Sequence, residues 1–318
     1  MYIVTGGAGF IGSNIIRGLN NVGVDDILAV DNLKRSDKFT NLADCKISDY
    51  ADKREFRDAL EKDHFSFSNI DAILHQGACS DTLETDGQYM MDNNYAYSKI
   101  LLEQALKNKI PFIYASSAAV YGRSSVFKEQ PEHESPINIY GYSKYLFDQY
   151  VRKTLAQAES AVVGLRYFNV YGPRETHKGK MSSVALQFYQ QLKSAQTIQL
   201  FEGTDERQDG EQKRDFIFVA DAVNVNLFFL NAPSVKGIFN VGTGNGQSFN
   251  QIADCLIELE GRGEKTYIPF PESLRNKYQS FTQADISALR AVGYAASFLS
   301  VEEGVQLYYQ YLNQTPLN

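Results

Sequence analysis

Apolar residues fall in short blocks separated by polar or glycine-containing junctions: "YIVTG" at 2–6, "DILAVDN" at 26–32, "IDAILHQGA" at 70–78, "PFIYASS" at 111–117 and "AVVGLRYFNV" at 161–170. Blocks of this length, with aromatic and β-branched residues, suit strands buried on both faces better than helices. Between most of them lie helix-length segments, such as 87–109 and 140–158. Parallel strands need crossover connections, so this alternation predicts a parallel sheet with helices on both sides.

Beyond Pro173 the rhythm loosens. The stretch "FEGTDERQDGEQKRDF" at 201–216 is charged and glycine-containing and is expected to be a long exposed loop. An apolar helix is expected near 220–230, strand character returns at "GIFNVGTG" (237–244), and helices are expected at 248–260 and 301–312 with a proline-bounded strand between them. The expected fold is α/β: a Rossmann-type doubly wound parallel sheet with a smaller mixed α/β C-terminal substrate domain. Residues 1–170 with 216–241 are assigned to the dinucleotide-binding domain, and 171–215 with 242–318 to the substrate-binding domain. No internal repeat or low-complexity tract interrupts the chain.

The 318 residues suffice for a large core, and the net charge of −7 without a long basic run argues against a nucleic-acid surface. Cys45, Cys79 and Cys255 are odd in number and widely spaced, so they form neither a disulfide framework nor a metal motif, and no metal is expected. A reducing cytoplasmic setting is the simplest expectation. The first apolar block has no basic leader and soon breaks into glycines, and no other stretch resembles a membrane span.

"VTGGAGFIGSNI" spaces Gly6, Gly9 and Gly12 between the first strand and the first helix. Glycines there permit a tight turn and let backbone amides approach a pyrophosphate at a helix N-terminus. Asp31 follows at the end of the second strand, where a ribose-binding carboxylate is expected. A carboxylate favours a free 2′-hydroxyl, whereas Lys34, Arg35, Lys38 and Lys53 could receive a 2′-phosphate, so spacing leaves NAD and NADP both open. "HQGACS" (75–80) ends the third block with small residues that let a loop lie near a cofactor, and His75 itself is read as a packed histidine.

In "YGYSK", Tyr140 and Lys144 stand four apart at the start of a helix and share one face. An ammonium beside a phenol is expected to lower the phenol's pKa and make it a usable acid/base. Either Ser116 or Ser117 of "ASSA" could bond the reacting oxygen. Further on, "RETHKGK" (174–180) packs five ionisable side chains into seven residues, open to reading as chemistry, as a phosphate grip or as solvated surface.

Taken together, the glycine triplet, "SSA" and YxxxK resemble the extended short-chain dehydrogenase/reductase family. Over nearly the whole chain the resemblance is to its branch that epimerises C6 of an ADP-heptose for lipopolysaccharide core biosynthesis, through "YMMDNNY", "RYFNVYGPRE", "HKG", "LFEG", "KRDF", "FNVGTG" and "YIPFP". The resemblance implies an isomerase with one NADP per subunit, with Tyr140 as acid/base, Lys144 as its modifier and a ribose ligand, Ser117 as the third member and Lys178 as a second acid/base. It implies cofactor contacts from Gly6, Gly9, Phe10, Ile11, Gly12, Asp31, Asn32, Lys38, Lys53, Gln76, Gly77, Ala78, Cys79, Ser80, Asn93, Lys144, Val170 and Lys178. Substrate contacts are implied for Asn169, Lys180, Gln187, Phe201, Glu202, Gly203, Thr204, Arg214 and Tyr278. This chain departs from that pattern at Gln76, Lys180 and Gln187, where Glu, Ser and His are expected, and in a longer segment between Thr204 and Lys213. A homo-oligomer, with a homopentamer as the expected form, is also implied.

A carbon without an adjacent carbonyl cannot be inverted by proton exchange alone, so transient oxidation is expected. The ketone must then turn over, and one tyrosine does not suffice for both poses. Arg174 and Lys180 are expected to lower the pKa of Lys178, Glu175 is assigned no role, and His177 stays undecided. Two other readings remain at this level: another sugar-nucleotide enzyme, such as a 4-epimerase or dehydratase, and a catalytically idle nucleotide-binding regulator.

Overall fold

The computed structural model describes residues 1–203, 207–272 and 279–314. The apolar blocks become strands β1 (Tyr2–Thr5), β2 (Ile27–Asp31), β4 (Ala72–His75), β5 (Phe112–Ser117) and β6 (Val162–Tyr167). With β3 (Asp49–Asp52) and β10 (Lys236–Val241) they form a seven-stranded sheet in the order β10-β6-β5-β4-β1-β2-β3. All its pairings are parallel. Every residue of β2, β4 and β6 is buried, as continuous apolar strands covered on both faces require.

Successive strand residues point to opposite faces, and the two cores divide accordingly. Val4, Ala29, Leu74 and Val163 pack with Ile15, Ile16 and Leu19 of helix α1 (Phe10–Asn21) and with Val223 and Phe229 of α7 (Val219–Leu230). Ile3, Leu28, Ile73 and Val162 face α2 (Lys53–Glu61), α4 (Tyr97–Lys107) and α5 (Ile139–Thr154), meeting Phe56, Leu101 and Phe147. Each such large apolar side chain contributes about 1.5–3 kcal/mol on full burial.

Several boundaries differ from the sequence pattern. β3 and α2 leave no apolar block because "DYAD" is an edge strand and buries little; α2 starts instead from Asp52, whose carboxylate accepts from Arg54 N at 2.8 Å. The expected helix over 87–109 comprises α3 (Gly87–Met91), a π-helical turn (Asp92–Ala96) that buries Asn93 and Asn94, and α4. The block at 161–170 divides at Phe168, whose N–H turns to the Val241 carbonyl, and the chain resumes as β7 (Asn169–Tyr171). The expected loop at 201–216 ends early, because Lys213–Phe218 forms the largely buried strand β9.

The smaller region combines a three-stranded sheet, β11-β9-β7 with β11 at Gly246–Ser248, and the pair β12-β8 (Glu264–Ile268 and Thr197–Phe201). Helices α6 (Val184–Ala195), α8 (Phe249–Glu260) and α10 (Val301–Gln314) close a separate core through Leu186, Leu192, Ile252, Leu256, Val305 and Leu312. A short α9 (Ser287–Ala291) packs beside β10.

A buried ionic network joins α5 to the sheet. Asp148 accepts from Arg166 Nη2 at 2.8 Å, from Tyr114 Oη at 2.8 Å and from Ser116 Oγ at 2.9 Å. Glu134 bonds both Arg166 and Arg152, so each of the two buried carboxylates has a cationic partner. Removing one partner strands charge in the interior. Asp148→Ala is therefore expected to lower stability by about 3–5 kcal/mol in urea unfolding.

Candidate active site

At the carboxyl end of β1 the chain turns at Gly6, with φ +68°, where a Cβ would lie 2.7 Å from Gly77 N. A Cβ on Gly12 would lie 2.1 Å from the Gly6 carbonyl oxygen. Gly9 precedes α1 without any side-chain cap, so the first amides of that helix keep their donor capacity for an anion. This glycine turn, with Phe10 and Ile11, forms one side of a cavity of about 520 Å³. A close-approach cradle at an uncapped helix start fits a dinucleotide pyrophosphate.

Asp31 ends β2 inside the cavity, with Asn32 beside it. Its carboxylate accepts from Ala8 N at 2.9 Å, Asn32 N at 2.6 Å and Lys38 Nζ at 2.5 Å. Lys53 also lines the cavity, donates to Asn93 Oδ1 at 2.5 Å, and has its pKa lowered chiefly by burial. Of the four cations expected near this end, Lys38 and Lys53 reach the cavity. Arg35 instead pairs with Asp37 at the surface, and Lys34 stays exposed.

Gln76, Gly77, Ala78 and Ser80 follow β4 along the cavity. Cys79 is not among the lining residues; its backbone N–H donates to the Asn94 amide at 2.8 Å and its carbonyl accepts from it at 2.9 Å. His75 is a packed histidine: its ring meets Thr5 Oγ1 at 2.6 Å and Ser98 Oγ at 2.8 Å. Ser98 already donates to the Asn94 carbonyl, so His75 Nε2 donates to Ser98 and Nδ1 accepts from Thr5. Burial pushes that imidazole down to about 3, which keeps it neutral.

Asn138 caps α5 by accepting from Gly141 N at 2.7 Å, which sets Tyr140 in the first turn and Lys144 one turn later. Both line the cavity with Ser117. Ser117 lies toward the Tyr140 hydroxyl, whereas Ser116, which also borders the cavity, donates its hydroxyl to Asp148 of α5 at 2.9 Å. Lys144 Nζ donates to the Ala115 carbonyl at 2.8 Å, and burial moves its pKa down to about 8. The expected depression of Tyr140 by Lys144 is not what the geometry produces: burial raises the phenol, and the opposing influence comes from Ser117.

The charged loop after β7 brings His177 and Lys178 to the same cavity, where Asn169 and Val170 also stand. Lys178 Nζ lies 5.4 Å from the Phe10 ring centroid, and burial lowers its pKa. Arg174 and Lys180 do not cause this, contrary to expectation. Arg174 is drawn away into a bidentate contact with Asp44 at 2.7 Å, and Lys180 is exposed. The charge acting on Lys178 is Glu175, which opposes the lowering. Burial pushes His177 down to about 4, and its Nδ1 meets Asn41 Nδ2 at 3.2 Å.

Residues 2–242 match the family model described as the NAD dependent epimerase/dehydratase family. The chain belongs to this family. It is 53% identical over 316 residues to the ADP-L-glycero-D-manno-heptose-6-epimerase of Alkalilimnicola ehrlichii, covering 99% of this chain and 98% of that one. Among solved structures it resembles the Helicobacter pylori ADP-L-glycero-D-manno-heptose-6-epimerase, with TM-score 0.85, 32% identity, and coverage of 99% and 96%. It also resembles a UDP-glucose 4-epimerase with UDP-glucose from Thermotoga maritima, with TM-score 0.81, 28% identity, and coverage of 98% of each chain.

In this epimerase/dehydratase the remaining expected substrate residues that are described do not line the cavity. Gln187 Nε2 donates to the Ser182 carbonyl at 2.8 Å, and Phe201 packs on Phe270 with ring centroids 5.2 Å apart. Glu202 N bonds the Ile268 carbonyl, while Gly203 N donates to Asp209 Oδ1 at 2.8 Å. Arg214 lies on β9 over the ring of Phe249, which does line the cavity. Thr204 and Tyr278 lie outside the described residues. Lining residues that the sequence reading missed include Thr5, Tyr89, Tyr97, Met181, Phe216 and Phe249. No motif marks them; Thr5 on β1, Tyr89 on α3, Tyr97 on α4, Met181 on the loop after β7, Phe216 on β9 and Phe249 on α8 are distant in sequence, and only the fold brings them to one cavity. Gly12→Ala should weaken dinucleotide binding by roughly tenfold or more, measured by fluorescence titration with NADPH, because overpacking costs about 1–3 kcal/mol.

Proposed function

We propose that the chain converts ADP-D-glycero-D-manno-heptose to ADP-L-glycero-D-manno-heptose at C6, using resident NADP, in lipopolysaccharide core biosynthesis. The observation that carries this reading is one cavity lined by two proton carriers from separate elements, Tyr140 on α5 and Lys178 on the loop after β7. The 53% identity to a relative named for this activity supports the same substrate. In this reading residues 1–170 with 216–241 hold the cofactor, and 171–215 with 242–318 hold the sugar nucleotide.

The glycine turn and the start of α1 would hold the pyrophosphate, and Lys144 the nicotinamide-side ribose. Lys38 and Lys53 favour NADP, since Lys38 already compensates Asp31 and a second ammonium stands nearby. The bound nicotinamide supplies reversible two-electron chemistry that takes the C6 alcohol to a ketone and back. Tyr140 Oη, oriented by Ser117, exchanges a proton with the C6 oxygen in one pose. Lys178 Nζ does so in the other, and its lowered pKa increases the fraction available as a base.

The unpaired Cys45, Cys79 and Cys255 favour a cytoplasmic setting. Among the described residues no helix is long and apolar enough to cross a membrane. We further read the working form as a homo-oligomer, with a homopentamer expected.

Incubation with ADP-D-glycero-D-manno-heptose should invert C6, with UDP-galactose left unchanged. Tyr140→Phe and Lys178→Met should each slow inversion by about 100-fold or more while retaining wild-type thermal unfolding. Turnover of UDP-galactose alone would replace the substrate assignment, and full activity in either variant would remove that residue's role. The mass of the dinucleotide released on denaturation distinguishes NADP from NAD.

A further inference from the structure

The loop that carries Lys178 encloses a charge with no role in the reaction described above. Arg174 enters it in the left-handed region, at φ 75°, and Gly179 turns it again at φ 55°. Between them, Glu175 is 0% exposed. Its carboxylate accepts from Gly172 N at 3.3 Å, Ser183 N at 2.5 Å and Ser183 Oγ at 2.6 Å. Its backbone carbonyl accepts from Lys178 N at 2.9 Å. Ser183 Oγ in turn accepts from Leu186 N at 3.3 Å and caps α6. One buried carboxylate therefore ties the end of β7 to the start of α6, with Lys178 on the intervening turn.

Burying a carboxylate is costly, and neutral replacements of similar shape are often no less stable. A purely structural clasp has no need of the charge. We propose that Glu175 is the positioning residue of Lys178, closing the loop that bears it with a buried carboxylate three residues before that lysine. The role rests on the reading of Lys178 as the second acid/base.

The groups around this pair set the sign of the effect. His177 lies on the same loop and is flanked by Lys38 from the segment after β2; Tyr308 of α10 faces Glu175; α6 contributes Ser183 and α1 the Phe10 ring. Burial moves the Lys178 pKa down and the Glu175 pKa up, and each charge opposes the movement of the other. Neutralising Glu175 removes the opposition, so the ammonium should lose its proton at still lower pH.

The test is competitive acetylation of the holoenzyme across pH, with the Lys178 peptide quantified by mass spectrometry. Lys178 should titrate at lower pH in Glu175→Gln than in the wild type. Glu175→Asp, which retains the charge but draws it back by a methylene, should fall between them. Ser183→Ala, which loosens the clasp and keeps the charge, should leave the titration in place. In Glu175→Gln the pH profile of kcat should move to lower pH together with the Lys178 titration, with KM changed less than about twofold. An unmoved Lys178 titration in Glu175→Gln, or an equal shift in Ser183→Ala, overturns the proposal. If the Gln variant does not fold, an Asp variant titrating at or above the wild-type position does so. Because labelling does not depend on turnover, a fully active Lys178→Met would remove the acid/base role without altering this result.

Discussion

The strand order of the parallel sheet reverses between β1 and β4, and the crevice outside the carboxyl ends of the strands opens at that point. Thr5 with the glycine turn, Asp31, Gln76 and Ser117 all stand at or just beyond those ends and border one cavity. Their convergence depends on parallel pairing, which directs every strand's outgoing turn to the same edge. The Asp148–Arg166 contact carries this order into the helical layer, because it fastens α5 to β6 and, through Tyr114 and Ser116, to β5. Tyr140 and Lys144 thereby face Ser117 and the Ala115 carbonyl.

Burial is also the main electrostatic influence on the site. It lowers Lys144, Lys178 and His177 and raises Tyr140, since removal from water penalises whichever form is charged. A crowded run of like charge on paper need not be the source of a shift in the folded molecule. Arg174, three residues after Tyr171, spends its guanidinium on Asp44 instead.

The central sheet was legible because strands buried on both faces must be continuously apolar, and because glycines in a fixed spacing answer a steric need. The edge strand β3 was not legible, since an exposed "DYAD" has no apolar signature. Ser116 and Ser117 are equivalent by composition; only the pleat of β5 separates the one that meets Asp148 from the one that meets Tyr140. Glu175 was assigned no role because its burial is a property of the turn geometry, fixed by β7 and the Ser183 cap of α6. The smaller region was the least legible, because its sheets pair segments distant in sequence, such as β12 with β8.

The central claim is inversion of one carbon inside this cavity, by oxidation and return with Tyr140 and Lys178 serving the oxygen rather than the carbon. The most direct measurement is turnover of ADP-D-glycero-D-manno-heptose carrying deuterium at C6, in ordinary water, followed by NMR of the product. Deuterium should remain at C6 of the inverted sugar. Its replacement by solvent hydrogen would mean that the carbon itself exchanges protons with the medium, and would contradict the mechanism.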